Sequence, residues 1–298
     1  EALLAPHDTR TVSYAPSATV FKYLREQPRP DRHAGLLALG DPVYLPPLPG
    51  TRYEVEVLAQ LFKSAGRPTR ALLAADASEP ALDHLAASGE LARFAFVHLA
   101  THGVIDEAVP QRSAVILTQT GLPDPLEQVL NHQPVFDGRL SVREIQRSWD
   151  LKAELVTLSA CETALGRNSG GEGFVGFTQA LLMSGARSVC LSLWRVNDRA
   201  TSLLMTRFYQ NLLGRRAGLS KPMPKAEALD EAKQWLRSLT VDQIDGKLAA
   251  VERGDVRPLA KLNNSKSSDR SSSPRSGGMR PFDQPYFWAA FVLVGDPD

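Results

Sequence analysis

The chain has few cysteines, no long hydrophobic run and almost no net charge. Only 2 of its 298 residues are cysteine, too few for the disulfide framework of small secreted domains. No apolar stretch approaches the roughly 20 residues that span a bilayer, and the first residues, EALLAPHDTR, lack the regions of a signal peptide. A net charge of +1 gives no overall attraction to nucleic acid or anionic membranes. These absences predict a cytoplasmic globular protein with reduced thiols and no membrane or direct nucleic-acid contact.

Short apolar runs alternate with helical periodicity along most of the chain. The strand-like runs are 36–39, 70–74, 94–97, 114–118, 154–158, 188–194 and 289–294, and the predicted helices are 52–64, 78–88, 141–147, 173–184, 198–213 and 225–239. Ser78 and Ser141 are expected to cap their helices, the latter in a capping box with Glu144. Repeated strand–helix units predict a three-layer α/β/α sandwich with a mostly parallel central sheet.

Two short strings, HLATHG at 98–103 and LSACET at 158–163, follow apolar runs of this kind. Such runs are typical of buried parallel strands, and open α/β sheets bind their ligands at the carboxyl ends of the strands. We therefore expect His102 and Cys161 at the same edge of the sheet. Cys161 lies 59 residues after His102 (161 − 102), close to the spacing of caspase-type His and Cys pairs. This pattern favours a cysteine peptidase.

Peptide cleavage by cysteine also needs a proton shuttle and donors for the developing oxyanion. His102 is the candidate shuttle. Gly103 has no side chain, so its backbone N–H can approach a reacting carbonyl closely. A buried structural cysteine and a core histidine are the alternative interpretation. Cys190 lies between Val189 and Leu191 inside an apolar run and is predicted to be a core residue.

Eight segments spread over the chain resemble one family, the CHAT domain. They are YAPSATVF, LALGDP, LPGTRYEVEVLAQLF, HLATHG, DGRLSVREI, LVTLSACETALG, GEGFVGFTQALLMSGARSVCLSLWRVND and PYFWAAFVLVGD. CHAT domains are caspase-like peptidase modules related to caspases and separases, usually found downstream of tetratricopeptide repeats. The resemblance implies a caspase-like fold and a cysteine endopeptidase that needs no cofactor. A protein substrate would form a thioester on Cys161, and the N–H groups of Gly103 and Cys161 would bind the oxyanion.

The resemblance also implies a bacterial protein of stress or phage defence, controlled by a helical-repeat region or partner. Asp198 ends the string LWRVND, which is similar to a separase string beside the S1 pocket. A carboxylate there would favour Arg or Lys at P1. Arg195 replaces an acid found in some relatives, and the alternative for Asp198 is a helix cap. Trp194 is a candidate pocket wall or a core residue.

Three other interpretations of the sequence are weighed against a peptidase. His98 and His102 are four residues apart, but a zinc-binding pair of that spacing needs a helix and a neighbouring Glu, so no metal is expected. Gly171, Gly173 and Gly176 spell the dinucleotide pattern G-x-G-x-x-G, although the preceding strand ends too early for a nucleotide site. A catalytically silent scaffold for protein interactions is the remaining alternative.

We expect residues 1–298 to form one caspase-like domain with a mobile insertion at 263–278. That segment, NNSKSSDRSSSPRSGG, is rich in Ser and nearly free of apolar residues, so it buries too little surface to offset its ordering entropy. Because the chain begins with Glu and not Met, we expect it to be part of a longer protein, and the resemblance implies that this protein carries helical repeats.

Overall fold

The computed structural model describes residues 11–31, 34–44, 47–160, 172–194, 197–252 and 279–298. Its central sheet has six strands in the order β2-β1-β3-β7-β8-β9. Their bounds are β1 Gly35–Pro42, β2 Thr69–Ala74, β3 Phe94–Thr101, β7 Leu155–Ala160, β8 Ser188–Ser192 and β9 Phe291–Gly295. Neighbouring strands run parallel except β8 and β9, which are antiparallel. The predicted, mostly parallel sheet is confirmed.

A second, smaller sheet lies beyond the carboxyl end of β3. Its antiparallel strands are β4 Gly103–Val104, β5 Ala114–Ile116 and β6 Arg139–Ser141. The run at 114–118 is thus a strand, as predicted, but it pairs outside the central sheet. Short runs of two or three residues carry too little periodicity to predict β4 or β6.

Ten α-helices surround the two sheets in the described residues. They are α1 Ala18–Glu26, α2 Pro49–Ser64, α3 Glu79–Ala87, α4 Pro125–Leu130, α5 Val142–Ser148, α6 Glu172–Met183, α7 Asp198–Leu212, α8 Lys225–Ser238, α9 Val241–Glu252 and α10 Pro285–Trp288. Ser78 caps α3, and Ser141 with Glu144 forms the predicted capping box at α5. The sequence analysis missed α1, α4, α9 and α10.

The helices form two layers because β3 and its neighbours alternate their side chains between two cores. Phe96 and Ala100 of β3 pack with α2, α7 and α8 in one core. Val97 and Leu99 pack with α3, α5 and α6 in the other. The α/β/α sandwich predicted from the sequence is confirmed. Within the part of the chain that the structure describes, no helix is long and apolar enough to cross a membrane.

The strands β3 and β7 keep one register along their common length. Six residue pairs, from Phe96 with Leu155 to Thr101 with Ala160, follow without a bulge. This register places Thr101 of β3 beside Ala160 of β7 at the carboxyl edge of the sheet. The predicted insertion at 263–278 lies outside the described residues.

Candidate active site

His102 lies at the carboxyl edge of the central sheet, directly after the last residue of β3. Its residue surface is only 6% exposed. The imidazole ring meets the ring of Tyr44 with 5.4 Å between centroids and an interplanar angle of 62°. The preceding residue, Thr101, uses its hydroxyl to hydrogen-bond the carbonyl of Ile116 in β5. The strand end that carries His102 is therefore tied to the small sheet.

Gly103 begins β4, and the direction of its N–H follows from a neighbouring bond. The N–H of Ile116 donates to the carbonyl of His102 at 2.8 Å, so that carbonyl points toward β5. In a trans peptide the next N–H points the opposite way. The N–H of Gly103 is consequently directed away from β5. This is the donor that the sequence analysis assigned to the oxyanion.

Cys161 lies outside the described residues. Its chain neighbour Ala160 is the last residue of β7 and pairs with Thr101. The other cysteine, Cys190, is fully buried in β8, as predicted. Burial raises the pKa of the Cys190 thiol to about 12, so at neutral pH it stays protonated and is a poor nucleophile.

Asp198 is the first residue of α7 and is half-buried. It does not cap this helix, because Asn197 is the cap and accepts from the N–H groups of Arg199 and Ala200 at 3.1 and 3.2 Å. A Cβ at Gly50 would lie 2.9 Å from the Cβ of Asp198. The absence of a side chain at Gly50 thus allows the first turn of α2 to approach Asp198 closely. The N-termini of α2 and α7 therefore meet at this residue.

Trp194 follows β8 and packs, half-buried, against the core formed with α2, α7 and α8. Its indole Nε1 donates to the carbonyl of Tyr286 at 3.0 Å. The ring is thereby held against the segment that leads into β9, which supports the core alternative. Arg195 lies outside the described residues.

A buried polar network connects β3 and β7 with α2 and α7, close to the strand end that carries His102. The sequence analysis missed this network. Oε1 of Glu54 lies 2.7 Å from Nε2 of His98, and the Tyr209 hydroxyl lies 3.3 Å from Nδ1 of His98 and 2.9 Å from Oγ1 of Thr157. All four residues are at most 2% exposed. Burial raises the pKa of Tyr209, which keeps the hydroxyl neutral and able to donate. The network joins α2, β3, α7 and β7, and it engages both ring nitrogens of His98.

The small sheet is anchored by Glu79, which the sequence showed only as an acid in the first turn of α3. Oε2 of Glu79 accepts from the N–H groups of Asp137 and Gly138 at 3.0 and 2.9 Å, just before β6. Burial, followed by the nearby Glu144 carboxylate, raises the pKa of Glu79 to about 7. Gly138 has a φ of +75°, a conformation that favours glycine.

The described residues offer little for a cofactor. No three His, Cys, Asp or Glu side chains among them converge on a common metal position. Residues 161–171 separate β7 from α6, and Gly173 and Gly176 lie inside that helix. A dinucleotide fingerprint places its glycines in a tight turn that joins strand to helix directly. This arrangement does not fit a nucleotide phosphate site.

Comparison with known proteins identifies the family. The family model described as "CHAT domain" matches residues 3–296. No curated protein matches the chain by sequence. Among solved structures, the chain is similar to the separase of a Saccharomyces cerevisiae separase–securin complex, with TM-score 0.50 and 13% identity, covering 96% of this chain and 14% of that one. The chain thus spans a small part of separase, and at this identity the likeness shows the fold alone.

Two further solved structures resemble the chain more distantly. The Arg-specific cysteine proteinase gingipain R matches with TM-score 0.43 and 11% identity, covering 88% of this chain and 45% of that one. The Drosophila initiator caspase Dronc matches with TM-score 0.36 and 12% identity, covering 78% of this chain and 85% of that one. All three neighbours have caspase-like cysteine peptidase folds.

Proposed function

The chain belongs to the CHAT domain family, and from this membership we propose that it is a cysteine endopeptidase with a Cys161–His102 dyad. The substrate would be a protein segment lying along the carboxyl edge of the central sheet. In this proposal, the chain forms one peptidase domain, and a partner or an attached helical-repeat region regulates its activity.

The observation that carries the proposal is the register of β3 and β7. Thr101 pairs with Ala160 at the end of an unbroken ladder, and the residues that follow them in the sequence are His102 and Cys161. Neighbouring strands lie about 4.8 Å apart, so residues that leave two adjacent strands in register start close together. The position of the Cys161 thiol relative to His102 is part of the proposal.

The proposed reaction uses this pair in two half-reactions. His102 accepts the proton of the Cys161 thiol, and the thiolate attacks the scissile carbonyl carbon. The resulting oxyanion is bound by the N–H groups of Cys161 and Gly103, the second of which points away from β5. As the C–N bond breaks, His102 returns the proton to the leaving amine. Water then hydrolyses the thioester and restores the thiol.

Asp198 is the candidate determinant of P1 specificity. It begins α7, the helix that follows β8, and the helix cap is supplied by Asn197 instead. The helix-cap alternative therefore does not apply to Asp198 itself. An ionised carboxylate in a partly dehydrated pocket would pair with Arg or Lys at P1. Trp194 is the weaker candidate for this pocket, because its ring packs against the core and its indole N–H is bound to Tyr286.

Labelling with a peptidyl electrophile tests the proposal directly. We expect mass spectrometry to find the label on Cys161 and not on the buried Cys190. Cys161→Ala should abolish labelling and proteolysis, and His102→Ala should slow both at least about 100-fold, the scale of a lost acid–base group. Cys190→Ala is the matched control and should retain both. An unlabelled Cys161, or a His102→Ala variant as reactive as wild type, would favour a catalytically silent scaffold.

A further inference from the structure

Tyr44 is the aromatic side chain that the structure places against His102. The two rings meet edge to face, with 5.4 Å between centroids. We propose that Tyr44 is a positioning residue that orients the His102 imidazole for proton transfer to and from Cys161. The inference rests on the proposed function of the dyad, but it assigns a role to a residue in a different segment, the loop between β1 and α2.

The backbone beside Tyr44 is fixed at two points. The N–H of Val43 donates to Oγ1 of Thr118 at 3.0 Å, and the carbonyl of Val43 accepts from the N–H of Gln119 at 3.2 Å. Thr118 in turn donates its hydroxyl to the carbonyl of Ala74 at 2.6 Å. The segment carrying Tyr44 is therefore bound to the end of β5 and, through Thr118, to the end of β2.

The end of β1, which leads into this loop, is held by a second set of contacts. Asp41 has a φ of +48°, a left-handed conformation that is costly for a residue other than glycine. Its N–H donates to Oγ1 of Thr51 at 2.8 Å, and its carboxylate accepts from Nε of Arg52 at 2.7 Å. The first turn of α2 thus stabilises a sharp bend directly before Val43 and Tyr44.

A pre-fixed aromatic ring acts on the imidazole by limiting its rotation. It restricts rotation about the bond that carries the His102 ring, since an edge-to-face pair has a preferred geometry. This effect needs the ring of residue 44 and not its hydroxyl. Phenylalanine should therefore substitute for tyrosine, and leucine or alanine should not.

The contact itself can be tested without any enzymatic activity. Tyr44 shields the nearby imidazole by its ring current, so the Hε1 resonance of His102 should move in Tyr44→Ala and stay close to its wild-type position in Tyr44→Phe. The resonance is assigned from the signal that disappears in His102→Ala. A His102 resonance unchanged by Tyr44→Ala would overturn the inference.

The functional effect is measured as the inactivation of Cys161 by a peptidyl electrophile, which separates the chemical rate constant from the binding constant. Tyr44→Ala and Tyr44→Leu should lower the chemical rate constant about three- to tenfold, the range of one aromatic pair. The binding constant should not change, and Tyr44→Phe should match wild type. Tyr23→Ala on α1, where the tyrosine is 60% exposed, is the matched control and should have no effect.

These outcomes separate the two proposals. A slow His102→Ala variant beside a Tyr44→Ala variant at the wild-type rate would remove the role of Tyr44 and leave the dyad intact. A change in the binding constant alone would assign Tyr44 to substrate contact and also overturn the positioning role. If His102→Ala reacts at the wild-type rate, the proposed dyad fails, and the role of Tyr44 fails with it.

Discussion

His98 of β3 and Thr157 of β7 are paired across the central sheet, and both contact the hydroxyl of Tyr209. His98 lies four residues before His102 in the sequence, and Thr157 lies four residues before Cys161. A buried hydroxyl between two strands contributes to stability only when its partners are all in place, and an unmatched partner is costly. The network therefore stabilises the strand pair that leads to the candidate active site.

Tyr209→Phe should destabilise the fold because it leaves Nδ1 of His98 and Oγ1 of Thr157 without the hydroxyl. We expect a loss of about 1–3 kcal/mol in the free energy of unfolding, measured by urea denaturation. Tyr23→Phe, on the surface of α1, is the matched control and should be neutral. Combining Tyr209→Phe with Thr157→Val should cost less than the sum of the single changes. Full additivity would show that the hydroxyls do not interact.

Glu79 should make stability depend on pH. Burial raises its pKa in the folded chain to about 7 from the ordinary value of 4.5, so between these values the folded state holds a proton that the unfolded state has lost. The contribution of Glu79 to stability is therefore complete below the lower value and is lost as the pH rises through the higher one.

Glu79→Gln tests this dependence while keeping an oxygen that can accept from Asp137 and Gly138. The free energy of unfolding of wild type relative to the variant should fall as the pH is raised from about 5 to about 8. Glu26→Gln, on the exposed side of α1, is the control and should give a nearly constant difference. A wild-type advantage that grows with pH would mean that the pKa of Glu79 is lowered on folding.

Cys190→Ala should cost stability and not reactivity. The thiol is fully buried between the two strands that flank β8, in the core shared with α2, α7 and α8. Removing its sulfur leaves a small cavity, with an expected cost of about 1 kcal/mol. Titration of the native protein with a thiol reagent should give the same number of reactive groups in wild type and variant. Loss of a fast-reacting group would place a reactive thiol at Cys190.

The strands of the central sheet and the location of His102 were predictable because they depend on local patterns. Apolar runs mark buried parallel strands, and the end of such a strand lies at the sheet edge. β3 extends four residues beyond the run 94–97, so His98 is buried inside the strand and His102 follows its end. The contacts of Tyr44, Glu79 and Glu54 were not predictable, because each of these residues contacts a residue more than forty positions away in the sequence. Local spacing carries no information on such contacts.

The choice of helix cap shows a second limit of sequence reasoning. Asn197 and Asp198 are adjacent, and both residue types are favoured caps. The residue that caps α7 is the last one with an extended backbone before the helix begins. In the structure this residue is Asn197. The alternative of a helix cap at Asp198 was wrong by one residue.

Asp198→Asn should weaken a preference for basic P1 residues without destabilising α7. If the carboxylate pairs with Arg or Lys at P1, its loss should lower kcat/KM for those substrates by about 10- to 150-fold, the value of a charge-assisted hydrogen bond. Substrates with neutral P1 residues should change much less. The variant keeps the shape of the side chain, so its close contact with Gly50 is preserved.

Asn197→Ala provides the matched control for this change. It removes the cap of α7 and should cost about 1 kcal/mol of stability, but it leaves the Asp198 carboxylate in place. Its P1 preference, measured with a peptide library, should therefore equal that of wild type. A wild-type preference for apolar or acidic P1 residues would show that Asp198 does not form the S1 pocket. Equal losses on all substrates in Asp198→Asn would point instead to a structural role at the contact between α2 and α7.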